Sequence, residues 1–218
     1  IPIKRLKART ITQYCISCKA KPERNQMTTK SLIRRSAFCA LSLFFVYAIA
    51  CTYLWARQGH FIFMPSREIK KTPAIYQLPY QDVYVSVESP DGQKERIHGW
   101  WIPAQIQSDK TLLYLHGSAL NIGANVDHAR RFHNLGFSVF LVSYRGYGLS
   151  DGEFPSEAQM YADAEAAWNY LVKQKQIKAD RIFIYGHSIG GAIAIDLAGK
   201  HRVTVADLNR DALQKAES

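Results

Sequence analysis

The chain has 218 residues, of which 47% are hydrophobic and 21% are charged. This length suits one globular domain with an additional segment and excludes two large domains. The net charge is +10, but the first 60 residues hold eleven of the 28 Lys and Arg residues and one acid, Glu23. The excess therefore lies in the N-terminal segment. That placement argues against nucleic-acid binding, which needs its basic surface on the folded domain.

An apolar stretch follows the basic segment. Residues 37–55, AFCALSLFFVYAIACTYLW, carry no charge and are numerous enough to cross a bilayer as a helix. Basic residues crowd the N-terminal side of this stretch and end in Arg34 and Arg35. The positive-inside rule predicts a basic cytoplasmic tail over 1–36, a transmembrane helix over 37–56, and the rest of the chain on the outer side of the membrane. A cleaved signal peptide is an alternative.

The cysteines lie only in this N-terminal part. Cys51 follows small residues, so lipid attachment at Cys51 is a second alternative to a membrane-spanning helix. Cys15 and Cys18 have no second cysteine pair, and we interpret them as a chance pair in a disordered tail. The sequence from Met27 resembles a natural start, so we expect residues 1–26 to be translated upstream sequence. The outer domain, which lacks cysteine, needs no disulfide.

Strand and helix patterns alternate in the rest of the chain. Residues 82–88 and 95–102 flank the turn signal Pro-Asp-Gly and predict a hairpin. The further predicted elements, in chain order, are strand 111–115, helix 125–135, strand 137–143, a Gly-rich loop over 144–155, helix 156–175, strand 181–185 and helix 190–199. An antiparallel start followed by strand–helix alternation predicts an α/β fold with a largely parallel sheet. We place this domain at 60–199 and regard 200–218 as an atypical tail.

A motif with chemical meaning follows the last predicted strand. The sequence Gly-His-Ser-Ile-Gly-Gly ends that strand and opens a helix, which is the setting of a nucleophile elbow. Side chains two residues before and two after the serine would collide, which explains Gly186 and Gly190. Ser188 is therefore the predicted nucleophile. The N–H of Ile189, at the positive end of the helix, is one predicted donor to an oxyanion.

Two further motifs follow the other buried strands. His116-Gly117 comes directly after strand 111–115, and Ser-Tyr-Arg-Gly-Tyr-Gly-Leu-Ser-Asp-Gly closes strand 137–143. In this order the three motifs resemble the α/β-hydrolase superfamily. Within it they are similar to serine hydrolases that include lysophospholipase-like, serine aminopeptidase-like and membrane-anchored depalmitoylase-type enzymes. The segment Phe61–Pro65 resembles the single-span members.

The resemblance covers about residues 30–198 and implies an α/β-hydrolase fold, truncated after the nucleophile helix. It implies hydrolysis of esters, thioesters or amides of small or lipid-like molecules through an acyl-enzyme, with no cofactor and no metal. It also implies that the backbone N–H of Ser118 is the second oxyanion donor. Gly117 and His116 then support the motif, with His116 bracing the loop. The Tyr-Arg-Gly-Tyr-Gly loop supports the fold.

The partners that a serine nucleophile needs are not evident. In this fold an acid and then a histidine follow the serine along the chain. The histidine downstream of Ser188 is His201, at the far end of the next helix, and Asp207 is a poor mimic of the acid. We interpret His187 as structural, because neighbouring side chains on such a turn point elsewhere. We expect this chain to have weak or no activity, since loss of the base removes most catalysis.

Two alternatives remain open. A non-catalytic, membrane-tethered binding domain of the same fold would also lack a base. Residues 181–207 also read as strand, Gly-rich turn, helix, strand and acid, the order of a dinucleotide-binding unit. Against that interpretation, Ser188 occupies the central glycine position of the turn. A fusion or frameshift near residue 199 would explain why the tail is unlike the family.

Overall fold

The structure is a computed structural model. It describes residues 3–89, 92–105, 108–201 and 203, with side chains from residue 28 onward. The chain forms two compact units, Ile1–Gln58 and Gly59–Ser218. The sequence predicted four segments, which are 1–36, 37–56, 60–199 and 200–218. The exact limits of these segments stay predictions.

Four α-helices and seven strands are described along the chain. The helices are α1 (Ile3–Ile62), α2 (Val126–Asn134), α3 (Glu157–Asn169) and α4 (Ile189–His201). The strands are β1 (Met64–Pro65), β2 (Gln81–Glu88), β3 (Lys94–Ile102), β4 (Thr111–Leu115), β5 (Ala119–Leu120), β6 (Ser138–Val142) and β7 (Ile182–Gly186). Short 3-10 turns cover Pro73–Tyr76, Ile122–Asn125 and Ala179–Arg181, and a π turn covers Tyr170–Gln174.

Helix α1 contains the apolar stretch. Within the described residues, the part Thr28–Ile62 is the one helix apolar enough to cross a membrane, with a window of mean hydropathy 2.0 that is nowhere buried. Such a helix suggests either membrane anchoring or a signal sequence. The prediction of a disordered tail around Cys15 and Cys18 is wrong for the backbone, which is helical from Ile3. Hydropathy marks the apolar stretch rather than the helix ends, so the extension could not be predicted.

The five-stranded sheet has the order β2-β3-β6-β4-β7. The predicted hairpin is present, since β2 and β3 pair antiparallel, and β3 also pairs antiparallel with β6. Strand β4 lies between β6 and β7 and is parallel to both, with Leu113 opposite Phe140 on one side and Ile184 on the other. The predicted α/β architecture is confirmed. The carboxyl ends of three parallel strands meet at one edge, where the predicted site motifs lie.

Each face of the sheet has its own core. Neighbouring residues of a strand point to opposite faces, so Leu113 joins one core and Leu112 the other. On the first face, α3 and α4 contribute residues such as Trp168 and Leu197. On the second face, α2 contributes Phe132. Because both faces are covered, β4 and β6 are buried along their whole length and read as continuous apolar runs.

The Gly-rich loop after β6 is fixed by a buried charge cluster. Arg145 is 2% exposed, and its Nε donates to Asp163 on α3 at 2.7 Å while its Nη1 donates to Glu95 on β3 at 2.9 Å. Burial raises the pKa of Asp163 to about 6, and Arg145 opposes that rise. The carboxylate is therefore charged at neutral pH. These bonds hold the loop in place, in agreement with its predicted role in supporting the fold.

Candidate active site

Ser188 lies on a tight turn between β7 and α4. Its φ is +56°, a left-handed conformation that costs energy for a residue with a side chain. Main-chain hydrogen bonds hold the turn: His187 N–H donates to Leu115 O at 2.9 Å, and Gly190 N–H donates to His187 O at 3.0 Å. Ser188 itself is exposed. The turn therefore presents the serine to solvent at the carboxyl edge of the sheet.

The glycines on either side of the serine are required by close backbone contacts. A Cβ at Gly186 would lie 2.1 Å from Gly190 O and 2.5 Å from the Gly191 Cα. A Cβ at Gly190 would lie 2.2 Å from Leu115 O. No side chain fits at such distances, which is the steric argument made from the sequence. These contacts join β7, the start of α4 and the end of β4 through main-chain atoms.

The loop after β4 comes next to the serine. A Cβ at Gly117 would lie 3.3 Å from the Ser188 Cβ. The following residue, Ser118, has its carbonyl held by the N–H of Met64 at 2.9 Å and by the Tyr147 hydroxyl at 2.8 Å. Within the described residues, the N–H of Ser118 donates to no acceptor. It is available for a ligand close to Ser188.

His116 fixes the peptide plane that carries this N–H. Its Nδ1 lies 2.7 Å from Gly117 O, and only a protonated Nδ1 can donate to a carbonyl. The Gly117 carbonyl and the Ser118 N–H belong to one trans peptide and point in opposite directions. Holding the carbonyl therefore aims the N–H away from the His116 ring. The sequence predicted that His116 braces the loop but gave no sign of this particular bond.

The ring of His116 is neutral. The residue is fully buried between Tyr144 and Tyr147, with ring centroids 4.6 and 5.0 Å away. Burial lowers the pKa of His116 to about 4, although its bond to Gly117 opposes the shift. Its Nε2 is buried and has no hydrogen-bond partner among the described residues. A histidine that stays neutral and is shielded from solvent in this way is suited to holding the loop in place rather than to transferring a proton.

The second predicted donor is at the start of α4. The N–H groups of the first helical turn have no acceptor inside the helix, and the helix dipole adds partial positive charge there. Ile189 is the first residue of α4 and directly follows Ser188. The structure thus brings together the predicted Ser188, Ile189 and Ser118, with Gly117 beside them. That these residues act in catalysis stays a prediction.

No histidine ring is hydrogen-bonded to Ser188 within the described residues. His187 is exposed, and its ring centroid is 5.6 Å from that of His128. Burial, aided by His187 and Arg131, lowers the pKa of His128. Neither ring forms a hydrogen bond with the serine. Within the described residues the His187 ring forms no hydrogen bond, so its structural role stays a prediction.

The downstream candidates do not reach the site. His201 ends α4, thirteen residues in length, which places it about 20 Å from the helix start. Its Nε2 is bound to Glu165 at 3.0 Å and its ring stacks on Trp168. Asp207, required by the dinucleotide alternative as well, lies outside the described residues. In the part of the chain that the structure describes, no three His, Cys, Asp or Glu side chains gather as metal ligands would.

A two-stranded ribbon beside the site was not predicted. β1 pairs parallel with β5, with Met64 opposite Ala119 and Pro65 opposite Leu120. This pairing braces the loop that carries Ser118. Strands of two residues have no periodicity, so the resemblance of Phe61–Pro65 was the one available signal.

Comparison with known proteins identifies relatives of this chain. The family model for serine aminopeptidase S33 matches residues 106–208. The chain is 36% identical over 146 residues to the protein bem46 of Schizosaccharomyces pombe, covering 66% of this chain and 47% of that protein. It is 34% identical over 147 residues to the alpha/beta hydrolase domain-containing protein WAV2 of Arabidopsis thaliana, covering 64% of this chain and 46% of that protein.

Solved structures agree. An esterase from Pyrococcus furiosus superposes with a TM-score of 0.53 at 27% sequence identity, over 62% of this chain and 50% of that one. The chain therefore belongs to the α/β-hydrolase superfamily, as its three motifs predicted. It spans about half the length of the curated relatives it matches.

Proposed function

We propose that the protein is a serine hydrolase that cleaves carboxylic ester, thioester or amide bonds through an acyl-enzyme on Ser188. The observation that carries this proposal is the exposed serine at φ +56°, directly before the first residue of α4 and next to the Gly117 loop. An oxyanion needs preorganised donors at the moment when its charge develops. Superfamily membership supports the same class of chemistry.

The proposed reaction has two steps. The Ser188 Oγ attacks the carbonyl carbon, and the resulting oxyanion accepts hydrogen bonds from Ile189 N–H and Ser118 N–H. The leaving group departs with a proton, and water then attacks the acyl-enzyme, which releases the acid and restores the serine. A base must remove the serine proton in the first step. We expect that base from outside the described residues, because none of their histidine rings is hydrogen-bonded to Ser188.

The setting of this reaction is proposed to be a membrane. The apolar part of α1 would anchor the chain, with its basic N-terminal side in the cytoplasm and the hydrolase unit on the outer side. The substrate would then be a small or lipid-like acyl compound. We propose no nucleic-acid partner, because the basic excess lies outside the hydrolase unit.

Covalent labelling with a fluorophosphonate probe tests the nucleophile. The probe is applied to this chain, to Ser188→Ala and to the matched control Ser156→Ala, which removes another exposed serine, at the start of α3. A version extended by a typical hydrolase C-terminus is labelled in parallel. We expect the extended protein and its Ser156→Ala variant to label, and its Ser188→Ala variant to remain unlabelled.

The outcomes separate the candidates. If this chain labels as strongly as the extended one, the described residues include a base that the contacts do not show. If only the extended protein labels, the elbow is functional and the base lies elsewhere. If neither labels at Ser188, the non-catalytic binding domain becomes the better proposal; it is also favoured because no histidine ring among the described residues is hydrogen-bonded to Ser188.

A further inference from the structure

Five exposed apolar side chains lie around the ribbon and the Gly-rich loop. We call Phe61, Met64, Leu120, Leu149 and Phe154 the apolar patch. Their exposed fractions are 59%, 58%, 56%, 52% and 37% respectively. Together they present on the order of 500 Å² of mostly apolar surface, as much as the largest patch of a typical soluble monomer. An apolar patch of this size is often a functional surface of the protein.

Main-chain hydrogen bonds bring the centre of the apolar patch together. Ser66 N–H donates to Leu120 O at 3.0 Å, and Gly148 N–H donates to Ser66 O at 2.9 Å. Leu120 and Leu149 therefore flank the same residue, although 29 positions separate them in the chain. Met64 lies two residues before Ser66, on the ribbon strand that pairs with the strand of Leu120. Three members of the patch thus share one small area.

Side-chain contacts add the remaining members. The ring of Phe154 stacks on His60 with centroids 4.3 Å apart and planes 12° apart, and Phe61 is the next residue of α1. Arg67 Nη1 donates to Ser150 O at 2.5 Å and its Nη2 to Gly152 O, which holds the Gly-rich loop against the segment after β1. The apolar patch is therefore a surface with a fixed framework.

The apolar patch borders the candidate active site. Leu120 is two residues from Ser118, whose N–H lies beside the nucleophile. Leu149 belongs to the loop after β6, and the Tyr147 hydroxyl of that loop binds Ser118 O at 2.8 Å. Both loops follow parallel strands, so they lie at the carboxyl edge of the sheet with Ser188.

We propose that the apolar patch rests in the interface of a lipid bilayer and that substrate reaches Ser188 from that bilayer. The proposal rests on the membrane anchor proposed above. Chain connectivity supports it: Phe61 follows the predicted span 37–56 by five residues of α1, a rise of about 8 Å, and Met64 follows the end of α1 by two residues, a reach of about 7 Å. If α1 spans the bilayer, the apolar patch cannot be far from its surface.

Basic residues lie on one side of the apolar patch, while the loop of Leu149 and Phe154 on its other side carries Asp151 and the exposed Glu153. The segment 67–71 after β1 carries three basic residues and one acid, Glu68, and both of its lysines are exposed. Apolar side chains with exposed lysines beside them suit the headgroup region of a bilayer. A folded protein partner would be the other class of occupant, and the experiment includes that outcome.

The test measures the depth of single labelled positions in the full chain. Its four cysteines are replaced by alanine, and Leu149→Cys carries an environment-sensitive fluorophore. The protein is reconstituted in vesicles of phosphatidylcholine and phosphatidylglycerol. Leu135→Cys is the matched control, because Leu135 is a leucine of similar exposure, 41%, that follows α2 at the amino edge of the sheet. Quenching is measured with spin-labelled lipid and with aqueous iodide.

We expect the label at Leu149 to emit at shorter wavelength and to be quenched several-fold more strongly by the lipid quencher than the label at Leu135. Iodide should show the reverse order. Equal quenching at both positions would overturn the proposal, and so would a Leu149 label shielded from both quenchers, which would indicate a protein partner. Loss of the chain from the membrane in a carbonate wash would overturn the anchor and this proposal together. None of these readings depends on Ser188 chemistry, so failure of the hydrolase proposal remains distinguishable.

Discussion

Replacing Gly186 by alanine should disrupt the elbow. The added Cβ would lie 2.1 Å from Gly190 O and 2.3 Å from Gly190 C, both of which are backbone atoms that cannot rotate away. Ordinary van der Waals contact would require the first turn of α4 to move by about 1 Å or more. Overpacking of this kind costs about 3 kcal/mol of unfolding free energy when backbone must shift. The movement would also displace Ser188 and Ile189 relative to Ser118.

A glycine within helix α4 supplies the control. Gly199 lies in α4, and a Cβ there would meet nothing within 4 Å. Gly199→Ala should therefore stabilise the helix by about 0.5–1 kcal/mol, the usual difference between alanine and glycine inside a helix. Each substitution adds one methyl group, Gly186→Ala at the end of β7 against the first turn of α4 and Gly199→Ala within α4, so the loss seen only for Gly186→Ala reports its steric contact.

Urea unfolding of the full chain in detergent, followed by tryptophan fluorescence, measures both variants. Probe labelling of Ser188 in the extended protein gives a second reading. We expect Gly186→Ala to unfold at lower urea and to lose labelling, whereas Gly199→Ala keeps both. If Gly186→Ala is as stable and as reactive as Gly199→Ala, the close contact is not a constraint and the steric account of the motif is wrong.

Three further predictions concern charge and topology. The pKa of His116 is lowered from 6.5 to about 4, so the unfolded chain binds a proton at this residue more readily than the folded chain does. The free energy of unfolding should therefore fall by about 3 kcal/mol as the pH drops from above 6.5 towards 4, and His116→Gln should flatten that loss in unfolding curves. Asp163→Asn should cost about 3 kcal/mol by removing the partner of buried Arg145, whereas Asp180→Asn, in an exposed pair, should cost little in the same assay. On intact cells an impermeant maleimide should label Ile195→Cys and spare Lys30→Cys in a cysteine-free chain; the opposite pattern would reverse the proposed topology.

The sequence was most informative where one physical requirement decides the residue. Strand Thr111–Leu115 was predicted with its observed limits, because a strand covered on both faces leaves a continuous apolar run. The elbow was predicted because only glycine fits at Gly186 and Gly190. Both features are local, and each leaves its mark on consecutive residues.

Features that depend on distant contacts could not be predicted. The ribbon of β1 and β5 joins residues 55 positions apart through two-residue strands, which have no periodicity. The bond from His116 to Gly117 O depends on a rotamer, and the left-handed φ of Leu120 depends on loop geometry. The helix predicted to run to residue 175 instead changes to a π turn at Tyr170, since hydropathy does not report a change in hydrogen-bond register.

The elbow is built almost entirely from main-chain atoms. The bonds from His187 N–H to Leu115 O and from Gly190 N–H to His187 O do not depend on any side chain, and the glycine contacts involve carbonyl oxygens and Cα atoms. The side chains at positions 187 and 189 are therefore not needed to shape the turn, although they flank the serine. Evolution or directed mutagenesis can exchange these two residues to alter which molecules fit, while the geometry of Ser188 is preserved.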